Sequence, residues 1–93
     1  MMIPKGFYTF GCATATHLFG PGRPKPGQDV RLVVIQALTQ NVRWRDDGTP
    51  PTASSGMQLA AGSSMSYTGD FSKIQFIEET GTAVLNISCY TVQ

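Results

Sequence analysis

The sequence predicts an all-β fold, a small antiparallel β-sandwich or jelly-roll-like barrel built from one domain spanning residues 1–93. Three observations predict it. Short runs alternate large apolar residues with small or polar ones. Clusters of Gly, Pro, Asp and Ser interrupt those runs about every ten residues, the spacing of an all-β domain. No segment carries a helical period.

The first strand is read at Tyr8 to Thr16, a Thr-rich stretch of alternating large and small residues. Phe19 to Gln28 follows as a loop, with Pro and Gly concentrated in residues 20–28; Pro has no ladder donor and Gly weakens strands. Val30 to Leu38 is the strongest strand, β-branched at its centre and apolar at alternating positions on both sides, a pattern that predicts burial on both faces. Asn41 to Arg45 places Val42 and Trp44 on one face and Arg43 and Arg45 on the other. Residues 46–56 begin with Asp46-Asp47-Gly48-Thr49-Pro50-Pro51, a turn by composition. Short strands are expected at Met57 to Ala60, Met65 to Tyr67 and Lys73 to Ile77. The last, Thr82 to Val92, puts Ala83, Leu85, Ile87 and Cys89 on one face and Val84, Asn86, Ser88 and Tyr90 on the other. The expected core is Trp44, Leu32, Val34, Leu59, Ile74, Phe76, Leu85 and Ile87.

Composition narrows the function. Of the residues, 41% are apolar and 14% charged; soluble domains average about 25% charged. A chain poor in charge and rich in Thr, Ser, Gly and Ala suits a sheet protein that packs into an assembly. The net charge of +1 supplies no field for gripping nucleic acid. The longest wholly apolar run, Leu32 to Ile35, is far short of a membrane span. Met1 to Gly6 lacks the apolar core of a signal peptide, so export is not expected. Cys12 and Cys89 read as small buried residues of a reducing compartment, or as a disulfide should their strands be neighbours.

Catalysis needs a nucleophile, base or metal in mutual reach, and no such constellation is patterned here, so an enzyme is not expected. His17 reads as an exposed residue at a strand end, without a patterned partner. Asp46-Asp47 lacks the further carboxylates of a calcium loop and reads as a turn salt-bridged to Arg43 or Arg45. Gly22 and Gly27 have phosphate-loop spacing, but Gln28-Asp29 stands where Lys and Ser/Thr are needed. Asn86-Ile87-Ser88 fits a glycosylation acceptor but falls inside a strand. Arg43-Trp44-Arg45 could stack on single-stranded nucleic acid, yet alternation points the indole away from both arginines. Tyr67, Tyr90 and Trp44 could furnish an aromatic platform for sugars. No cofactor and no metal is expected.

The runs Asn41-Val42-Arg43-Trp44-Arg45-Asp46-Asp47-Gly48-Thr49-Pro50-Pro51-Thr52-Ala53, Gly56-Met57-Gln58-Leu59-Ala60-Ala61-Gly62, Tyr67-Thr68-Gly69-Asp70, Ile74-Gln75-Phe76-Ile77 and Ala83-Val84-Leu85-Asn86-Ile87-Ser88 are similar to those of small virion proteins encoded among the head and tail genes of tailed bacteriophages. The resemblance spans residues 30 to 92. It implies a β-sandwich or jelly-roll structural component of the virion, assembled in the host bacterial cytoplasm. The expected role is a capsid decoration or cement subunit that contacts the major capsid protein or other virion proteins as a homo-oligomer, a trimer being favoured. A head–tail joining, collar or fibre-base component and a glycan-binding module for host attachment are the alternatives. Candidate interface residues are Phe19, Pro21, Arg23, Pro24, Lys25 and Pro26 of the loop, with Tyr67 and Tyr90.

Overall fold

The computed structural model describes residues 2–18 and 30–92. Among them are eight strands: β1 Met2–Gly11, β2 Thr16–His17, β3 Leu32–Ala37, β4 Val42–Arg45, β5 Met57–Leu59, β6 Ser64–Tyr67, β7 Gln75–Glu78 and β8 Val84–Val92. They form two antiparallel four-stranded sheets, ordered β1-β8-β3-β6 and β2-β7-β4-β5. The order has a simple origin. Fold the chain in half between β4 and β5, and β1 meets β8, β2 meets β7, β3 meets β6 and β4 meets β5. Rolling that long hairpin up adds the pairs β3·β8 and β4·β7. The result is a jelly roll.

The core lies between the sheets. In the first sheet, Tyr8, Ile87, Ile35 and Met65 share one register row, and Phe10, Leu85 and Ala37 share another. In the second, Phe76 pairs with Trp44, and Val42 with Leu59. Leu59, Ile74, Phe76, Leu85 and Ile87 are buried, and Trp44 is half-buried against them. Ala83, Leu85, Ile87 and Cys89 all point inward from the β8 segment, while Val84, Asn86, Ser88 and Tyr90 are half-buried on its outer side.

Leu32 and Val34 correct the sequence expectation. They lie half-buried on the outer face of β3, and Val33, Ile35 and Ala37 fill the core instead. The apolar run reads the same on both faces, so alternation alone did not select the inner one. Only one face of β3 is sealed by the opposite sheet.

The N-terminal region also departs from the pattern. β1 begins at Met2, well before Tyr8. Its register slips between Pro4 and Gly6, leaving Lys5 as the extra residue of a bulge. Proline is tolerated there because β1 is an edge strand whose outer side needs no ladder donor. The strand expected through Thr16 ends at Gly11; Cys12 to Ala15 turn the corner, and Thr16–His17 joins the other sheet. The Phe19 to Gln28 loop lies outside the described residues.

Candidate functional site

The fold-back between β4 and β5 carries the most specific part of the sequence, and its residues are held together by local chemistry. Thr52 and Ser55 exchange backbone hydrogen bonds of 2.9 and 3.1 Å, closing a tight turn over buried Pro51. Gly56 has φ of 137°, and a Cβ there would meet the Trp44 carbonyl oxygen at 3.0 Å. A larger residue would force the β5 strand off β4. Arg45 forks onto both carboxylate oxygens of Asp47, and the Thr49 amide donates to Asp47 Oδ1 at 3.3 Å. The Arg45 hydrogen bond holds the Asp47 carboxyl below its usual range.

Tyr67 of β6 reaches this region from the other sheet. Its hydroxyl donates to Asp46 Oδ2 at 2.7 Å. Its ring meets Trp44 edge-on at 6.1 Å and Phe71 at 5.8 Å. Gly69 lies directly beneath it: a Cβ would fall 2.5 Å from the Tyr67 oxygen. Burial, then the Asp46 carboxylate, pushes the phenol well above its ordinary value. Tyr67 therefore ties the two sheets together, and it is neither a base nor a nucleophile at neutral pH.

Beside this cluster opens a groove of about 460 Å³ lined by Trp44, Arg45, Asp46, Asp47, Ser55, Gly56 and Met57. Trp44 and Met57 face each other across β4 and β5, and Met57 is 62% exposed. The floor is apolar and the rim carries two carboxylates and a guanidinium. Such a surface suits a ligand with one apolar face and hydroxyls at its edge.

The outer face of the same sheet holds a satisfied polar network. Arg43 Nε donates to Glu79 Oε2 at 2.6 Å, Gln58 Nε2 to the same oxygen at 2.8 Å, and Asn41 Nδ2 to Oε1 at 3.4 Å. These donors, Gln58 first and Arg43 next, hold the Glu79 carboxyl below its usual range. The ion pair expected of Arg43 or Arg45 with the Asp46-Asp47 turn thus goes to Arg45, and Arg43 turns to Glu79.

The remaining sequence candidates are dispersed. His17 is exposed on β2, paired with Gln75. Among the described residues no group of three His, Cys, Asp or Glu side chains could hold a metal. Tyr67 corrects the expectation of an interface or sugar platform: it is 7% exposed, because Gly69 leaves its ring room to pack inward. Tyr90 is half-buried on the outer face of the first sheet, so Tyr67, Tyr90 and Trp44 form no shared platform. Phe19, Pro21, Arg23, Pro24, Lys25 and Pro26 lie outside the described residues.

Cys12 and Cys89 are buried free thiols. Cys89 pairs with Gly6, whereas Gly11, next to Cys12, pairs with Val84. That separation along β8 is about 17 Å, and a disulfide needs Cα atoms within roughly 7 Å. Burial, then Glu78, pushes the Cys12 thiol up to about 11, which leaves it protonated and unreactive.

Sequence reasoning missed Met57, Ser55 and Gly56 as groove residues and Glu79 as the centre of the outer network. Met57 was legible only as the neighbour of Gly56 in the motif-rich run, and Glu79 carried no signal beyond its place between two expected strands. No family model, curated protein or solved structure matches the chain.

Proposed function

We propose that this protein is a structural subunit of a tailed-phage virion, a capsid decoration or cement protein that binds the assembled shell as a small symmetric oligomer. The observation that carries this reading is where the virion-like residues fall. Tyr67 crosses to the fold-back, where its hydroxyl bonds to Asp46 and its ring meets Trp44, and Gly56 and Gly69 lack the Cβ atoms that would crowd this packing. The Trp44, Asp46 and Tyr67 side chains are spent on fixing the shape of a rigid turn, as expected of a part whose work is contact with neighbours. The titratable groups of this region point the same way, since Tyr67 is held neutral and Asp47 is locked onto Arg45.

Co-sedimentation tests the proposal. The purified protein should pellet with assembled capsids and fail to bind isolated capsid-protein monomers. Binding to the monomer with equal strength would refute a cement role.

The Trp44–Met57 groove favours a second reading, a glycan-binding module for host attachment. An apolar lining of Trp44 and Met57 beside carboxylates matches the apolar face and hydroxyl edge of a sugar ring. A glycan array with reproducible hits that disappear in Met57→Glu would select it over the first.

A further inference from the structure

The groove at the fold-back carries a charge that its own residues do not balance. Two carboxylates and one guanidinium line it, those of Asp46, Asp47 and Arg45. Arg45 forks onto both oxygens of Asp47, so that pair is closed. Arg43, the other arginine of β4, is turned to Glu79 on the outer side of the sheet. Asp46 therefore has no cation of its own among the described residues. Its Oδ2 accepts a hydrogen bond of 2.7 Å from the Tyr67 hydroxyl, a neutral donor, and its Oδ1 is open. Such a carboxylate is an acceptor for a charge-assisted hydrogen bond, roughly twice as strong as a neutral one. The Ser55 hydroxyl on the same lining also has no partner among the described residues. The other walls are apolar: Trp44 is half-buried, and Met57 opposite it on β5 is 62% exposed.

These features together select a ligand. An anion would be set against the unbalanced carboxylate. A metal ion needs several protein ligands, and among the described residues no three His, Cys, Asp or Glu side chains come together. A wholly apolar ligand would strip water from Asp46 and return nothing. A neutral sugar would leave the charge of Asp46 uncompensated. A lysine or arginine side chain meets both demands, because its methylene stem covers apolar surface while its charged head stays among polar groups. We infer that the groove is a socket for a lysine or arginine side chain displayed by the shell protein to which this subunit binds. The stem packs on Trp44 and Met57, and the head donates to Asp46. The volume of about 460 Å³ lies near the lower end of the roughly 300–1,000 Å³ of ligand sites, room for one long side chain and the backbone that carries it. Asp46, Asp47, Ser55 and Met57 are all exposed, so the socket opens outward beside the fold-back turn. The inference rests on the cement reading above for the identity of the partner; the ligand class follows from the groove alone.

Trp44 is the only tryptophan of the chain, so its fluorescence reports the groove directly. The full chain is titrated with the blocked tripeptides acetyl-Gly-Arg-Gly-amide and acetyl-Gly-Lys-Gly-amide, with the same tripeptide carrying citrulline, the uncharged counterpart of arginine, and with methyl glucoside. Saturable binding of the two cationic peptides is expected, at least about 10-fold tighter than that of the citrulline peptide, the difference one charge-assisted hydrogen bond makes. Asp46→Asn keeps an oxygen for Tyr67 and removes the charge, and should weaken the cationic peptides by about the same factor. Met57→Ser, at an exposed position, should weaken them through the loss of apolar contact. Far-ultraviolet circular dichroism reports whether each variant keeps its sheet. No saturation with either cationic peptide, citrulline bound as tightly as arginine, or unchanged binding to a folded Asp46→Asn each overturns the inference; saturation by methyl glucoside alone overturns it in favour of the glycan reading. Co-sedimentation with capsids separates the two levels. Capsids that bind wild type and Asp46→Asn equally overturn the socket and leave the cement role standing. Capsids that bind neither refute the cement role, and the peptide titration still decides the ligand class of the groove.

Discussion

At the scale of single residues, Tyr67 is decided by a glycine two positions later. The absence of a Cβ at Gly69 lets the phenol lie down against Trp44 and Phe71 and find Asp46. Gly69→Ala should therefore push the ring out of its seat and cost about 1–3 kcal/mol, read as a lower denaturant midpoint with an unchanged slope. The same ring makes a pH prediction. Its folded pKa lies above the ordinary value, so the stability it contributes is complete below about pH 10, the unfolded tyrosine value, and is lost as pH rises beyond it. Tyr67→Phe should flatten that alkaline fall, measured by unfolding at a series of pH values. Glu79 works in the opposite direction. Its lowered folded pKa gives stability that is present above about pH 4.3 and lost as the medium is acidified below that, and Glu79→Gln should remove this acid dependence. None of these partners was legible in the sequence. Asp46 and Tyr67 are far apart along the chain, and an alternating Met-Ser-Tyr run says nothing about which residue crosses to the other sheet.

At the scale of elements, legibility followed contrast between faces. The β8 segment was readable residue by residue because its inner positions are apolar and most of its outer ones polar. β4 was readable for the same reason, with Val42 and Trp44 inward and two arginines outward. β3 was not, because Leu32 and Val34 are as apolar as Val33 and Ile35. A pair of isosteric substitutions separates its two sides. Val33→Thr buries a hydroxyl in the core and should cost about 1–3 kcal/mol, whereas Val34→Thr should stay within about 0.5 kcal/mol; equal losses in chemical denaturation would contradict the face assignment. β1 escaped for another reason. Pro4 and Gly6 argue against a strand in general, but an edge strand with a bulge at Lys5 accommodates both. Its corner at Cys12 to Ala15 is composed of small residues that continue the alternation while the backbone changes sheets.

At the scale of the whole molecule, the class of fold was legible and its wiring was not. Alternation and turn spacing fix that strands form and roughly where they end. They carry no information on which strands pair, because every pairing except β4 with β5 joins distant parts of the chain. The jelly roll closes only when β1 finds β8 and β2 finds β7. One feature of that closure reaches beyond stability. Met2 and Val92 are register partners on adjacent strands, so peptides grafted ahead of the first strand or behind the last emerge from a single corner. Joining those two strands by a short linker and opening the chain at the fold-back turn yields a rearranged polypeptide that traces the same path through space.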